Sequence, residues 1–152
     1  MLRVLDRAVE TLLGLLATAL IATAFGQVVA RYAFSSPFTW VLELDVLLMV
    51  WAAMLAGYLG VRRNAHMAVD LLVARAGAAA RRRIALVNQA LCMTFVALCG
   101  WKSAAVIDAM QGMRFTSIPV GQPVLYWSVP VGCALMLVAL TAGLLEMLRR
   151  RV

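Results

Sequence analysis

The sequence predicts an all-α integral membrane protein with four transmembrane helices. Four segments without Asp, Glu, Lys, Arg or His are long enough, or nearly so, to cross a bilayer. Hydrophobic residues make up 64% of the 152 residues and charged residues 14%, and the mean hydropathy is +0.92. About 20 helical residues span the ~30 Å hydrocarbon layer, so four spans leave little beyond loops and termini outside the lipid.

The four spans are expected to form a single membrane domain that covers residues 1–152. Their predicted bounds are residues 11–30, 43–61, 84–102 and 124–146. The second span contains the shortest uncharged run, so Glu43 and Asp45 at its start are expected at the membrane interface.

A cleaved secretory signal is the alternative for the first span. Arg3 and Arg7 precede an apolar run, and residues 22–24 (Ala-Thr-Ala) look like a small-residue cleavage site. Two features argue against cleavage. The acidic Asp6 reduces the positive charge of the segment before the apolar run, and the apolar run continues past residue 24. We therefore expect a retained first helix.

The basic residues are distributed unevenly between alternate sides of the spans. Eleven lie in the two termini and the loop between the second and third spans, whereas Arg31, Lys102 and Arg114 lie on the other side. Because cytoplasmic loops are enriched in Lys and Arg, both termini are expected in the cytoplasm. The basic, partly apolar stretch before Gly77 predicts a short interfacial helix in the cytoplasmic loop.

The composition argues against several classes of protein. The net charge is +7, but the basic residues flank apolar spans, where membrane lipids are better partners than nucleic acid. One histidine and three cysteines without a Cys-x-x-Cys pair provide no metal or haem ligand set. Neither a nucleotide-binding glycine loop nor a nucleophile elbow occurs. We expect no enzyme activity, no catalytic residue, no cofactor and no metal.

Polar and aromatic residues concentrate between the first two spans. Trp40 is an aromatic residue of the kind expected at headgroup depth. Thr39 is the expected N-cap of the second helix, and Glu43 follows near the positive end of the helix dipole. Two interpretations are open. The segment is a well-anchored hairpin, or its Arg31, Glu43 and Asp45 pair with charges of a partner subunit.

Other regions hold further candidate anchoring residues. His66 and Asp70 lie in the basic loop, where His66 is expected to form a hydrogen bond rather than carry protons. Gly57 follows another small residue by four positions, a spacing that permits close helix approach. Pro130 and Gly132 lie inside the last apolar run, and the proline frees backbone groups that neighbouring helices must satisfy. The last helix is therefore expected to pack against protein.

In order and separation, these features resemble the small membrane subunit of the tripartite ATP-independent periplasmic (TRAP) transporters, the DctQ type. The resemblance is carried by Arg31-Tyr32, Phe34, Pro37, Trp40, Glu43, Trp51, Gly57, His66, Asp70, Pro119, Pro130 and Gly132. There is one departure from the pattern. Family members often place two adjacent acidic residues after the tryptophan, whereas here Leu42 stands beside Glu43 and the second acid is Asp45.

The resemblance implies a supporting role in transport. In such systems a DctP-type periplasmic binding protein captures an organic anion, and a large DctM-type permease subunit moves it inward with a sodium gradient. The small subunit enlarges the scaffold of the large one in the bacterial inner membrane, as a multi-pass protein. The candidate interface or anchoring residues are Arg31, Trp40, Glu43, Asp45, Gly57, His66, Asp70, Pro130 and Gly132.

No predicted span carries a charged residue near its centre, although such residues usually mark an ion or substrate pathway. Gln27, Asn88 and Gln89 are the most central polar groups, and we expect them to hydrogen-bond between helices or subunits. The alternatives are a scaffold of another membrane complex and a small multidrug exporter. The exporter requires an acidic residue inside its first span, whereas Glu10 lies at the edge of that span.

Overall fold

The computed structural model describes residues 2–36, 38–63 and 78–149. Within these ranges the chain forms helices and no strand, which confirms the predicted all-α class. The helices are α1 (Leu2–Ala33), α2 (Thr39–Arg62), α3 (Ala78–Ala109), α4 (Pro123–Tyr126) and α5 (Ser128–Arg149). Trp127 alone separates α4 from α5.

Within the described residues, four segments are long and apolar enough to cross a membrane, which confirms the predicted number. They are Arg3–Ala33, Thr39–Arg62, Arg83–Ala109 and Pro123–Leu145. The helices extend beyond the predicted spans, since α1 and α3 have 32 residues each. That is about 48 Å of helix against a hydrocarbon layer of ~30 Å. Backbone hydrogen bonding continues past the apolar run into charged turns, so hydropathy alone underestimates the helix lengths.

The long helices form an open row rather than a closed bundle. α1 packs against α2, α2 against α5, and α5 against α3. No Cα atom of α1 lies within 8 Å of α3 or α5, and none of α2 lies within 8 Å of α3. The order in the row is therefore α1, α2, α5, α3. Each edge helix has one neighbour among the long helices, which leaves large side chains such as Phe25 of α1 and Phe95 of α3 exposed.

Two buried clusters hold the row together. The first is centred on α2, which stands between α1 and α5, and consists of Val9, Leu55, Tyr58, Leu59 and Ala139. The second lies between α3 and α5 and consists of Val96, Cys133 and Leu140. Cys133 contributes there as a small apolar side chain.

Two glycines permit close packing of α2 against α5. A β-carbon on Gly132 would lie 2.7 Å from Cβ of Met54, and one on Gly57 would overlap the methyl carbon of Met136. Small residues at such positions let helix backbones approach. The prediction that the last helix packs against protein is confirmed, and the neighbour that Gly57 contacts belongs to the same chain.

Pro130 occupies a different position from the one predicted. α5 begins at Ser128, so the proline lies in the first turn rather than inside the helix. The N–H groups of a first turn have no acceptor within the helix, and proline is tolerated there. The expectation that Pro130 frees backbone groups that neighbouring helices must satisfy is therefore wrong.

Candidate functional site

The polar contacts of the chain lie mainly at the two ends of the helix row. We call the end that holds the start of α1 and the last turn of α2 the terminal end. We call the opposite end, which holds the α1–α2 loop and the α3–α4 loop, the hairpin end.

Glu43 fixes the α3–α4 loop to α2 at the hairpin end. Its carboxylate oxygens accept hydrogen bonds from the backbone N–H groups of Thr116, Ser117 and Ile118, at 2.9, 2.8 and 3.1 Å. Bonds to an ionised acceptor are stronger than neutral ones, and three successive N–H groups form a natural anion-binding concavity. Glu43 is thus an anchor within the chain, while its pairing with a partner subunit stays a prediction.

The loop that Glu43 holds is itself folded back. Arg114 and Gly121 form an isolated antiparallel bridge, and the N–H of Phe115 donates to the carbonyl of Val120 at 3.1 Å. The backbone turns at Gly112, whose φ of +88° lies in the region that favours glycine. The α3–α4 loop therefore presents a compact structure at this end.

Two further bonds join α1 and α2 near the same end. The hydroxyl of Thr23 donates to Asp45 at 2.5 Å, and the N–H of Phe38 donates to Oε1 of Gln27 at 3.0 Å. Gln27 thus bonds to the residue that precedes α2, and a bond from it to another helix or subunit stays a prediction. The expectation that Thr39 caps α2 is wrong, because Phe38 is the N-cap residue and no side chain caps the helix.

Arg31 and Trp40 point outward at the hairpin end. Arg31 lies exposed in the last turn of α1, and no carboxylate of the described residues forms an ion pair with it. The Trp40 ring is exposed, with its centroid 5.9 Å from that of Phe38. Both positions suit anchoring at headgroup depth. A contact with another subunit stays a prediction for each.

Asp6 is the centre of the contacts at the terminal end. It accepts a hydrogen bond from the hydroxyl of Tyr58 at 2.6 Å and two from Arg62 at 3.0 and 2.9 Å. Tyr58 is fully buried. Beside this cluster, Arg63 and Glu10 form a more exposed ion pair at 2.6 Å.

Sequence reasoning missed these partners, because it treated Asp6 only as an acidic residue in a basic leader. Asp6 and Tyr58 are 52 positions apart, so no local pattern links them. One signal was available. Asp6 and Glu10, like Tyr58 and Arg62, are four residues apart and therefore share a helix face.

Two side chains bridge helices elsewhere in the row. The indole N–H of Trp51 donates to the carbonyl of Val124 at 3.2 Å and ties α2 to α4. The amide of Gln89 donates to the carbonyl of Leu140 at 2.6 Å and ties α3 to α5. The predicted interhelical role of Gln89 is confirmed, and each bond satisfies a donor that would otherwise face apolar surroundings.

His66, Asp70 and the predicted interfacial helix lie outside the described residues. In the part of the chain that the structure describes, no group of three His, Cys, Asp or Glu side chains could hold a metal ion. The contacts found there brace helices against each other and against the α3–α4 loop.

Comparison with known proteins supports the resemblance seen in the sequence. The family model described as "Tripartite ATP-independent periplasmic transporters, DctQ component" matches residues 20–150. Two relatives carry the name "C4-dicarboxylate TRAP transporter small permease protein DctQ". The one from Vibrio cholerae serotype O1 is 33% identical over 90 residues, which is 59% of this chain and 39% of that protein.

The second relative, from Rhodobacter capsulatus, is 28% identical over an alignment of 172 positions, which covers 90% of this chain and 74% of that protein. The matched part thus spans less than half of the Vibrio protein and about three quarters of the Rhodobacter one. The family model covers most of this chain, including α2 to α5 and their contacts. With its four membrane-spanning segments, the chain is a multi-pass membrane protein that belongs to the DctQ component family of the tripartite ATP-independent periplasmic transporters.

Proposed function

We propose that this chain is the small permease subunit of a TRAP transporter. In this role it supports a large permease subunit during cation-gradient-driven uptake of an organic anion, which a periplasmic binding protein delivers. The family membership supports the assignment. The open helix row supports the proposal that this chain acts as a scaffold while the large subunit moves the anion.

The absence of charged residues from the apolar segments is the observation that best supports a role as a scaffold. Asp, Glu, Lys, Arg and His are absent from residues 11–30, 46–61, 84–101 and 115–145. Ion and substrate pathways through membranes are usually marked by such residues, or by unwound backbone at the midplane. The polar groups Asp45 and Gln89 already bond within the chain. A pathway is therefore better placed in another subunit.

The shape of the row suits a scaffold. Among the described side chains of α1, Val9 and Ala30 are the buried ones, and among the described helices α3 packs against α5 and α4. Apolar surface of this extent in a membrane faces lipid or another protein. Hydrogen bonds of Asp6 at the terminal end and of Glu43 at the hairpin end stabilise the arrangement of the helices. We propose that part of this surface extends the static framework of the large subunit.

The arginine distribution supports an orientation in the bacterial inner membrane. With both termini in the cytoplasm, the terminal end is cytoplasmic and the hairpin end is periplasmic. The proposed interfacial helix then lies on the cytoplasmic face. The α3–α4 loop held by Glu43 lies on the side from which a periplasmic binding protein approaches.

The names of the two relatives suggest the substrate class to test first. Both are named for C4-dicarboxylate transport, so we propose an organic anion with C4-dicarboxylates as the first candidates. We propose sodium as the coupling cation, and no enzymatic step is part of the proposal.

Reconstitution tests the division of labour. The chain alone, the large permease subunit alone with its binding protein, and all three components are placed in proteoliposomes with an imposed sodium gradient. We expect uptake of a labelled C4-dicarboxylate by the complete set and none by the isolated chain. Flux through the isolated chain would overturn the scaffold role and favour a small exporter. Failure of the large subunit to co-elute from native membranes would favour a scaffold of another complex.

A further inference from the structure

An open groove lies beside α3 at the hairpin end. It has a volume of about 340 Å³ and is lined by Cys99, Lys102, Ser103, Val106, Tyr126 and Val129. The hydroxyl of Ser103 donates to the carbonyl of Gly100 at 2.6 Å and is therefore engaged with its own helix. From Cys99 to Val106 the groove follows α3 for about 10 Å. Its walls are almost entirely apolar.

Two polar groups at the groove have no hydrogen-bond or ion-pair partner among the described residues. No carboxylate of the described residues forms an ion pair with Lys102, whose ammonium lies 5.7 Å from the ring centroid of Trp101. The hydroxyl of Tyr126 has no hydrogen bond to any described residue. A lysine can place its aliphatic stem along an apolar wall while its charge stays at the edge. The groove thus combines an apolar trough with a cation and a hydroxyl donor.

The neighbouring aromatic residues indicate the depth of the groove. Trp101 is 74% exposed beside Lys102, and Trp127 is 52% exposed directly after Tyr126. Tryptophan and tyrosine concentrate at the membrane–water interface, where headgroups begin. We therefore expect the ammonium of Lys102 at the level of lipid phosphates, with Cys99 about one helical turn further from the end of α3.

From this arrangement we infer that the groove binds one acidic phospholipid. An acyl chain lies along the apolar walls, and the phosphate accepts hydrogen bonds from Lys102 and Tyr126. A phosphate is the acceptor that complements both donors. A transmembrane helix in the same groove would press apolar surface against an unpaired ammonium unless it supplied a carboxylate, which makes it the poorer occupant. The groove would bind this lipid whichever solute the transporter moves.

Lipid retention by the full-length chain tests the inference. The delipidated protein in detergent is titrated with phosphatidylglycerol or phosphatidylcholine, and bound lipid is counted by native mass spectrometry. Lys102→Gln keeps a stem of similar length and removes the charge. We expect about fivefold weaker binding of phosphatidylglycerol, the factor that corresponds to about 1 kcal/mol for one basic residue at an anionic membrane surface. Phosphatidylcholine binding should change less.

Arg114→Gln is the matched control, because Arg114 is an exposed cation at the same end but does not line the groove. It should leave phosphatidylglycerol binding unchanged. Equal losses for Lys102→Gln and Arg114→Gln would mean general attraction of anionic lipid and would overturn the site. Tyr126→Phe removes only a hydroxyl, and about threefold weaker binding is expected from one lost hydrogen bond.

Filling the groove separates lipid from a protein occupant. Val106→Trp should prevent retention of phosphatidylglycerol and leave co-purification of the large permease subunit intact. If that variant instead loses the large subunit, and if the wild-type complex retains no phosphatidylglycerol, a helix of the partner occupies the groove and the lipid site is wrong. Should Val106→Trp fail to insert, the Tyr126→Phe and Lys102→Gln titrations decide the question alone.

Discussion

Glu43 and Ser117 are 74 positions apart, and a carboxylate oxygen of Glu43 accepts the backbone N–H of Ser117 at 2.8 Å. The bond joins parts of the chain whose helices do not pack, since no Cα atom of α2 lies within 8 Å of α3. Together with the bonds from Thr116 and Ile118, it ties the first turns of α2 to the loop that follows α3. At the hairpin end these bonds therefore fix the position of the α3–α4 loop relative to α2.

Glu43→Gln should weaken this brace without changing the size of the side chain. The amide retains one oxygen for three N–H donors and places its own NH₂ group against them. We expect a loss of about 1–3 kcal/mol in the free energy of unfolding, as for hydrogen bonds to charged groups. Thermal unfolding in detergent measures it. Glu10→Gln, in the exposed pair with Arg63, is the control, and equal melting temperatures for the two variants would contradict a bracing role.

The two ion pairs of the terminal end should differ in their contributions. In the Arg62–Asp6 pair the side chains are 21% and 22% exposed, whereas in the Arg63–Glu10 pair they are 67% and 46% exposed. Asp6→Asn should therefore cost about 1–3 kcal/mol, and Glu10→Gln less than about 1 kcal/mol. Chemical unfolding in mixed micelles gives both values.

Added salt provides a second check on these pairs, because it screens exposed charges more than partly buried ones. The difference between wild type and Glu10→Gln should shrink in high salt, while the difference for Asp6→Asn persists. Similar salt dependence of the two variants would show that Asp6 is as solvated as Glu10.

Three glycine-to-alanine changes should form a graded series. At Gly132 the new β-carbon meets Cβ of Met54, which cannot move without the backbone, and we expect a loss of about 1–3 kcal/mol. At Gly57 it meets the flexible end of Met136, so the loss should be smaller. At Gly26 no heavy atom lies within 4 Å, and alanine should be neutral or stabilising by up to about 1 kcal/mol. Thermal unfolding of the three variants tests the order, and a larger loss at Gly26 than at Gly132 would contradict the packing.

The orientation can be tested with reporter fusions. A reporter active only in the periplasm should be silent after Val152 or near Ala78, and active within residues 35–38 or near Gln111. The expectation follows from the eleven basic residues on one side against three on the other. Periplasmic activity at the carboxyl terminus would reverse the assignment of the two ends.

Much of the fold was predictable because it depends on local composition. The apolar runs indicated the number of membrane-spanning helices, and the amide of Gln89 indicated a bond between helices. The order of the row was not predictable. It depends on complementary surfaces far apart in the chain, such as Gly132 against Met54.

The loop N–H groups that bind Glu43 could not be predicted from the sequence, for the same reason. A backbone N–H is present at almost every residue, so sequence gives no sign of which ones a carboxylate will bind. For the carboxylate of Glu43 near the start of α2, the sequence suggested two partners. These were the positive end of the helix dipole and a charged residue of another subunit. The structure instead shows three amides of a loop more than 70 positions away.

The placement of α5 between α2 and α3 has a consequence for synthesis. As the chain leaves the ribosome, α1 and α2 emerge first and can pair at once, since they are neighbours in the row. α3 emerges next, and of the described helices neither α1 nor α2 packs against it, because its neighbours are α4 and α5. α3 can therefore form its contacts with α5 only after the last helix has been released from the ribosome. Nascent chains that stop before Ser128 would therefore contain a packed α1–α2 hairpin and an α3 that lacks its contacts with α5.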